Sequence, residues 1–445
     1  MTSYKTQADP ITTLPPGIPY IVGNEAAERF SYYGMRAILV IYMTQYLMNA
    51  SGQPDCMSEQ EAQGYYHLFI SAVYVMPVFG AFLADAWLGK YRTIIGLSLV
   101  YCLGHFALAL DDTRSGLMLG LGLIAIGAGG IKPCVSAHVG DQFGSRNRHL
   151  LATVFSWFYF SINLGAFISI LIIPWLQEHY GARIAFAVPG LLMALATWVF
   201  WSGRYRFVHI PPFGKGLLEE LAAPEGLRTL ALLGAVYFFI AMFWALFEQM
   251  GSSWVLQAQK MDRRVGGIEL LPSQIQAANP LLIMLLTPLF SYGIYPFLQR
   301  FFALTQLTRI TAGLFLTALA FAIPGLIQMR LDQGLPVHVG WQLPAYLLLT
   351  SAEIMVSITC LEFSYMEAPK SMKSLVMAFY YISVAAGNLF TGAVNFFIEN
   401  EDGSSRLAGA DYFWFFTAFM LITALSFAFL RQKIGKLFRG EGGNQ

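Results

Sequence analysis

Apolar residues run through this chain in long unbroken blocks, not in the alternation of a strand or the one-faced stripe of a soluble helix. A helix needs about 20 mostly apolar residues to cross a bilayer. Twelve stretches qualify: 18–48, 60–88, 93–110, 115–139, 150–176 and 184–202, then 227–256, 273–299, 308–329, 343–368, 371–398 and 412–430. Runs this long exclude barrel strands, which are shorter and alternate. The pattern predicts an all-α membrane protein with twelve transmembrane helices. The longest polar connection, 203–226, contains Pro211, Pro212 and Pro224 and divides the helices six and six. The expected organisation is a tail over 1–17, a six-helix bundle over 18–202, a linker over 203–226, a second bundle over 227–430 and a tail over 431–445.

Composition agrees. Of 445 residues, 56% are apolar and 12% charged, and mean hydropathy is +0.55. Soluble globular chains carry about 25% charged residues, so lipid has to be the solvent. Of the 27 Lys and Arg residues, seventeen fall on the side that carries both termini and seven on the other, while Arg29, Arg36 and Lys132 lie inside spans. Positive-inside bias therefore predicts cytoplasmic termini in a multi-pass protein of the cytoplasmic (inner) membrane. A formal net charge of +1 offers no concentrated basic face for nucleic acid. Cys56, Cys102, Cys134 and Cys360 lie far apart and form no metal or disulfide pattern. No charged, apolar, then small-residue leader precedes the first span. HExxH, GxSxG and phosphate-loop motifs are missing as well, so no constellation for an enzyme, a metal or a cofactor is expected.

Ionisable side chains at membrane depth are costly and point to function by default. The first span carries NEAAERFSYYGMR, where Glu25, Glu28 with Arg29, Tyr32 and Arg36 share one helical stripe. Lys132 lies in GAGGIKP of the fourth span, Glu248 in FWALFEQ of the seventh, and Glu353 and Glu362 in SAEIMVSITCLEFSY of the tenth. These are the first and fourth helices of each half, so a six-plus-six repeat would bring the charges to one central cavity. Two six-helix halves with a midplane site are the plan of major-facilitator transporters. Four acids, with Glu353 left aside, against three bases suit a zwitterionic solute accompanied by a proton. The alternative is a set of structural ion pairs that lock the helices, and for Glu353 that reading is favoured.

The same residues resemble the proton-coupled oligopeptide transporter (POT or PTR) family of the major facilitators. NEAAERFSYYGMR is similar to its E-x-x-E-R-F-x-Y-Y-G motif. FGAFLADAWLGKYRTI, GAGGIKPCVSAHVGDQF, FYFSINLGA and LEFSYMEAPKSMKS resemble its later motifs, in order, over about residues 18–430. Many bacterial members have two extra helices between the halves, and animal members a large domain between spans 9 and 10. The connections 203–226 and 330–341 are too short for either, so the chain looks like a minimal twelve-helix, bacterial member.

The resemblance implies symport of a proton with di- and tripeptides, and with peptide-like drugs, by alternating access, acting as a monomer. It implies that Arg36 and Lys132 hold the peptide carboxylate and Glu362 its ammonium group. Asn163 and Asn279 would bond the peptide backbone, and Tyr32, Tyr74, Trp244 and Phe247 would form tolerant walls. Glu25, Glu28 and Glu248, with Arg29 among them, would handle the proton, Glu248 pairing with Arg36 and Glu25 or Glu28 with Lys132 when the site is empty. His67 matches a histidine proposed for proton handling in animal members, or else is a structural histidine near its helix end. His105, His138 and His149 read as structural. Asp85, Gly89 and Lys90 are expected to form a tight turn, with Asp141 opening the turn after the fourth span. Another solute, such as nitrate or an amino acid, remains the alternative, as does a membrane-embedded enzyme or a non-transporting receptor.

Overall fold

The computed structural model describes residues 4–212, 224–301, 303–367 and 373–438. Lys215, Lys370 and Arg439, which entered the orientation count, and residues 213–223 of the expected linker lie outside the described residues. Twelve long helices are present among those described. They are α1 (Ile18–Gln45), α2 (Glu59–Leu88), α3 (Lys90–Leu110), α4 (Arg114–Asp141), α5 (Arg148–Tyr180) and α6 (Ala182–Ser202), followed by α7 (Thr229–Gln259), α8 (Pro272–Leu298), α9 (Gln306–Asp332), α10 (Val339–Glu367), α11 (Val376–Ile398) and α12 (Ala410–Phe438). All but α1 are apolar enough to cross a membrane on length and composition. In α1 the obstacle is Glu25, Glu28, Arg29 and Arg36, all of them buried.

Local chemistry sets the helix boundaries. Thr113 and Thr305 cap α4 and α9, their hydroxyls accepting from the backbone N–H of Gly116 and Thr308 at 3.2 Å. Gly89, at φ +75°, makes the turn between α2 and α3, where the left-handed region favours glycine. Among the described residues three helices contain a π-helical turn: Ala84–Leu88 in α2, Phe290–Ile294 in α8 and Ile354–Ile358 in α10. Between α7 and α8 a short hairpin pairs β1 (Arg264–Val265) with β2 (Ile268–Glu269). Its Gly266 and Gly267 both have positive φ, as a two-residue hairpin turn needs.

The chain divides into two compact units: Met1–Met57 with Ala72–Leu217, and Ser58–Ser71 with Leu218–Gln445. The first half of α2 thus groups with the second unit. Within the first unit α1 packs on α5 and α6, and α3 packs on α4 and α6. Within the second, α7 packs on α11 and α12, and α9 on α10 and α12. Each pairing recurs six helices further along.

Small residues permit the closest approaches. A Cβ on Gly80 of α2 would collide with the backbone of Gly130 in α4, and one on Gly129 with the carbonyl of Val73. The outer surface is apolar: Leu103 is 58% exposed, Trp198 62% and Phe429 85%. Such side chains facing outward on α2 to α12 identify a multi-pass membrane protein.

One end of the first unit is strapped by its own polar segments. The backbone of Lys5 accepts from the N–H of His209 at 2.7 Å, and the Tyr4 ring stacks on the His209 ring at 4.1 Å. The Gln142 side chain accepts from the N–H of Val208 at 2.9 Å. Beside it Lys90 pairs with Asp141 at 2.8 Å, so the two turns expected from the sequence are joined by an ion pair.

Candidate functional site

In the first unit the charged stripe of α1 forms two separate groups. At the first, Arg29 donates from Nε to Oε1 of Glu25 at 2.7 Å and lies 3.2 Å from Oε2 of Glu28. All three are buried, and neither oxygen of Glu28 has a hydrogen bond of good geometry among the described residues. Two carboxylates against one guanidinium leave a net negative charge inside the protein. A single proton would bring this trio to neutrality.

Two helical turns on, the second group is cationic. The Arg36 guanidinium lies 5.1 Å from the Tyr33 ring centre and 5.9 Å from that of Tyr32. The Lys132 ammonium, from α4, lies 4.7 Å from Tyr32 and 4.2 Å from Tyr74 of α2. Arg36 and Lys132 therefore share one phenol ring in a cation–π arrangement. The direct partner of Glu25 and of Glu28 is Arg29. Tyr33 has no role assigned from the sequence, although its place beside Tyr32 puts it one residue round the same face. Asn163, half-exposed on α5, donates back to the Tyr159 carbonyl of its own helix at 3.0 Å.

In the second unit Glu248 is buried where α7 tightens into a 3-10 turn, Glu248–Gly251. Just before it Trp244 and Phe247 pack edge-to-face, ring centres 5.1 Å apart. His67, fully buried at the start of α2, has both ring nitrogens occupied: Nδ1 is 2.8 Å from Oδ1 of Asn388 and Nε2 is 2.9 Å from Oγ of Ser252. Neither partner was visible in the sequence, because they sit on α11 and α7, far along the chain.

The two glutamates of α10 lie in different surroundings. Asn279 of α8 donates to Oε2 of Glu353 at 3.0 Å and to the Thr350 hydroxyl at 3.1 Å. Glu362, the ammonium partner expected from the sequence, instead has a half-exposed side chain 3.8 Å from Arg309 and accepts from Gln306 at 3.2 Å. Thus Glu353, expected to be structural, joins Asn279, and Glu362 does not.

The sequence profile described as PTR2, the POT family, matches residues 91–222 and 218–415. "Peptide transporter family 1" of Drosophila melanogaster is 37% identical over 376 residues, covering 74% of this chain and 50% of its own length. The chain spans about half the length of the curated relatives it matches. Among solved structures, an auto-inhibited POT family peptide transporter superposes with a TM-score of 0.86 at 36% identity, covering 94% of this chain and 97% of that one. A peptide transporter POT mutant in complex with alafosfalin superposes with a TM-score of 0.83 at 25% identity, covering 97% of each. The chain shares their major-facilitator-like fold of paired helical bundles.

Proposed function

The chain belongs to the POT family, and on that premise we propose that it is a proton-coupled symporter importing di- and tripeptides by alternating access. It works with no cofactor beyond the proton, as a monomer, in the inner membrane with both termini cytoplasmic. The observation that supports this most is the pairing of Arg36 and Lys132 around Tyr32. Two cations at one place suit a peptide carboxylate, and the planar fork of Arg36 suits bidentate contact.

Glu353 holds the peptide ammonium in this reading, because it accepts from Asn279, which also donates to Thr350 and can bond the peptide backbone beside it. That replaces Glu362, whose neighbours are Arg309 and Gln306. Tyr32, Tyr74, Trp244 and Phe247 serve as walls, and Asn163 turns from Tyr159 to the peptide. Holding the ends and leaving the middle loosely packed gives broad specificity.

The proton is carried by the Glu25–Arg29–Glu28 trio and by Glu248, with His67 positioned by Asn388 and Ser252. A peptide carboxylate held by Arg36 and Lys132 adds negative charge two turns along α1 from the trio, and a proton taken up there offsets it. The driving force is sufficient: about 1.4 kcal/mol per pH unit plus about 2.3 kcal/mol per charge per 100 mV.

Purified protein in liposomes, with an inward proton gradient, is expected to accumulate labelled dialanine above its external level. Other dipeptides should compete, and free alanine or nitrate should not. Accumulation of nitrate or alanine instead would move the protein to another solute, and no gradient-driven uptake of any of them would end the symporter reading.

A further inference from the structure

The second unit contains a separate cavity of about 300 Å³ near the α8–α9 connection, walled by Arg309, Glu362, Tyr295, Thr287, Ser291 and Thr359. That volume is at the small end of ligand sites. The Arg309 guanidinium lies 4.4 Å from the Tyr295 ring centre, and the side chain is 17% exposed. Its Nε is buried with no hydrogen-bond partner among the described residues. The nearest carboxylate oxygen, on Glu362, is 3.8 Å from Nη1, beyond hydrogen-bond range. A buried guanidinium donor left idle, as Nε is, is costly, and an entering anion relieves that cost.

The neighbouring carboxylate narrows the choice of anion. Glu362 accepts one bond, from Gln306, and remains half exposed. A simple anion would sit against it, whereas a ligand with a positive group next to its negative one satisfies both side chains. The surroundings indicate how such a ligand arrives. Leu289, Tyr292 and Phe297 on α8 are 52%, 86% and 57% exposed on the apolar outer surface. The cavity is also flanked by two π-turns, since Ser291 lies in one and Ile354 and Ile358 in the other. Turns of this kind recur at functional sites.

We propose that this cavity binds the headgroup of a zwitterionic aminophospholipid, its phosphodiester on Arg309 and its primary ammonium on Glu362, with the acyl chains along the outer face of α8. The hydroxyls of Thr287, Ser291 and Thr359 supply further bonds to phosphate oxygens. A choline headgroup has no N–H for Glu362 and a glycerol headgroup has no cation, so an ethanolamine headgroup is preferred.

Native mass spectrometry of the purified full chain, exposed to phosphatidylethanolamine, phosphatidylcholine or phosphatidylglycerol of matched chains, tests this. One phosphatidylethanolamine is expected to be retained about tenfold more strongly than the other two, the worth of a charged hydrogen bond. Arg309→Gln should lower retention about tenfold, and Arg309→Lys, which keeps the charge and loses the fork, should fall between. Glu362→Gln should level phosphatidylethanolamine with phosphatidylcholine, and it decides the matter if Arg309→Gln fails to fold. Retention indifferent to headgroup and variants, or preference for phosphatidylglycerol, overturns the proposal. So does displacement of the lipid by soluble phosphoethanolamine at equal concentration, which would make the site one for a soluble zwitterion.

Discussion

Arg29 and Arg36 stand two turns apart on one face of α1, yet their neighbours give them different work. Arg29 is enclosed by Glu25 and Glu28, whereas Arg36 meets the rings of Tyr32 and Tyr33. Sequence periodicity placed both on the same stripe and could not separate them, because spacing gives the face of a helix and not what the face meets. The same limit applied to α10. Both glutamates were legible as charges at membrane depth, but Asn279, which distinguishes them, comes from α8. Glu353→Gln is therefore expected to lower uptake of labelled dialanine more than Glu362→Gln does, by about tenfold or more for loss of a charged contact to the ammonium. Initial rates in liposomes measure this, and the opposite order would return the ammonium role to Glu362.

At the scale of elements, the helices were legible because twenty apolar residues have few other solutions in lipid. Their irregularities were not. The π-turns in α2, α8 and α10 leave no compositional trace, and the strap joining the amino-terminal segment to residues 204–212 rests on stacking between distant aromatics. That strap is expected to respond to pH. His209 packs against Tyr4 and Tyr91, and burial holds its imidazole below the ordinary range. The Arg204 carbonyl near Nε2 opposes this effect and the charge of Arg92 adds to it. A released His209 takes up a proton more readily than a strapped one. The strap's contribution to stability is therefore complete at neutral pH and declines as pH falls through the ordinary imidazole value of about 6.5. Hydrogen exchange in residues 5–9, corrected for intrinsic rates, is expected to accelerate several-fold from about pH 7.5 to pH 5.5. His209→Phe keeps the stack without a charge and should remove the acceleration; a persistent one would assign the sensitivity to another group.

The molecule as a whole repeats itself: α1 on α5 and α6 is echoed by α7 on α11 and α12, and α3 on α4 and α6 by α9 on α10 and α12. The hydropathy count of six and six anticipated that echo, because each bundle must bury its polar faces by the same packing. How duties divide between the units was less legible, since the sequence shows charges without their partners. The first unit carries the two cations around Tyr32, whereas the second carries Glu248 and Glu353. If Glu248 links proton movement to peptide movement, Glu248→Gln should abolish gradient-driven accumulation while sparing counterflow of labelled against unlabelled dialanine. Loss of both would make Glu248 a binding residue, and loss of neither would place the proton elsewhere.

The bulge at Ile354–Ile358 lies between the two acids of α10. Rewinding that turn to regular α-helix with every residue kept would carry all that follows round by about 100°, swinging Glu362 off Arg309 while the Asn279–Glu353 bond stayed in place. One widened turn thus holds the two acids of α10 to their separate partners.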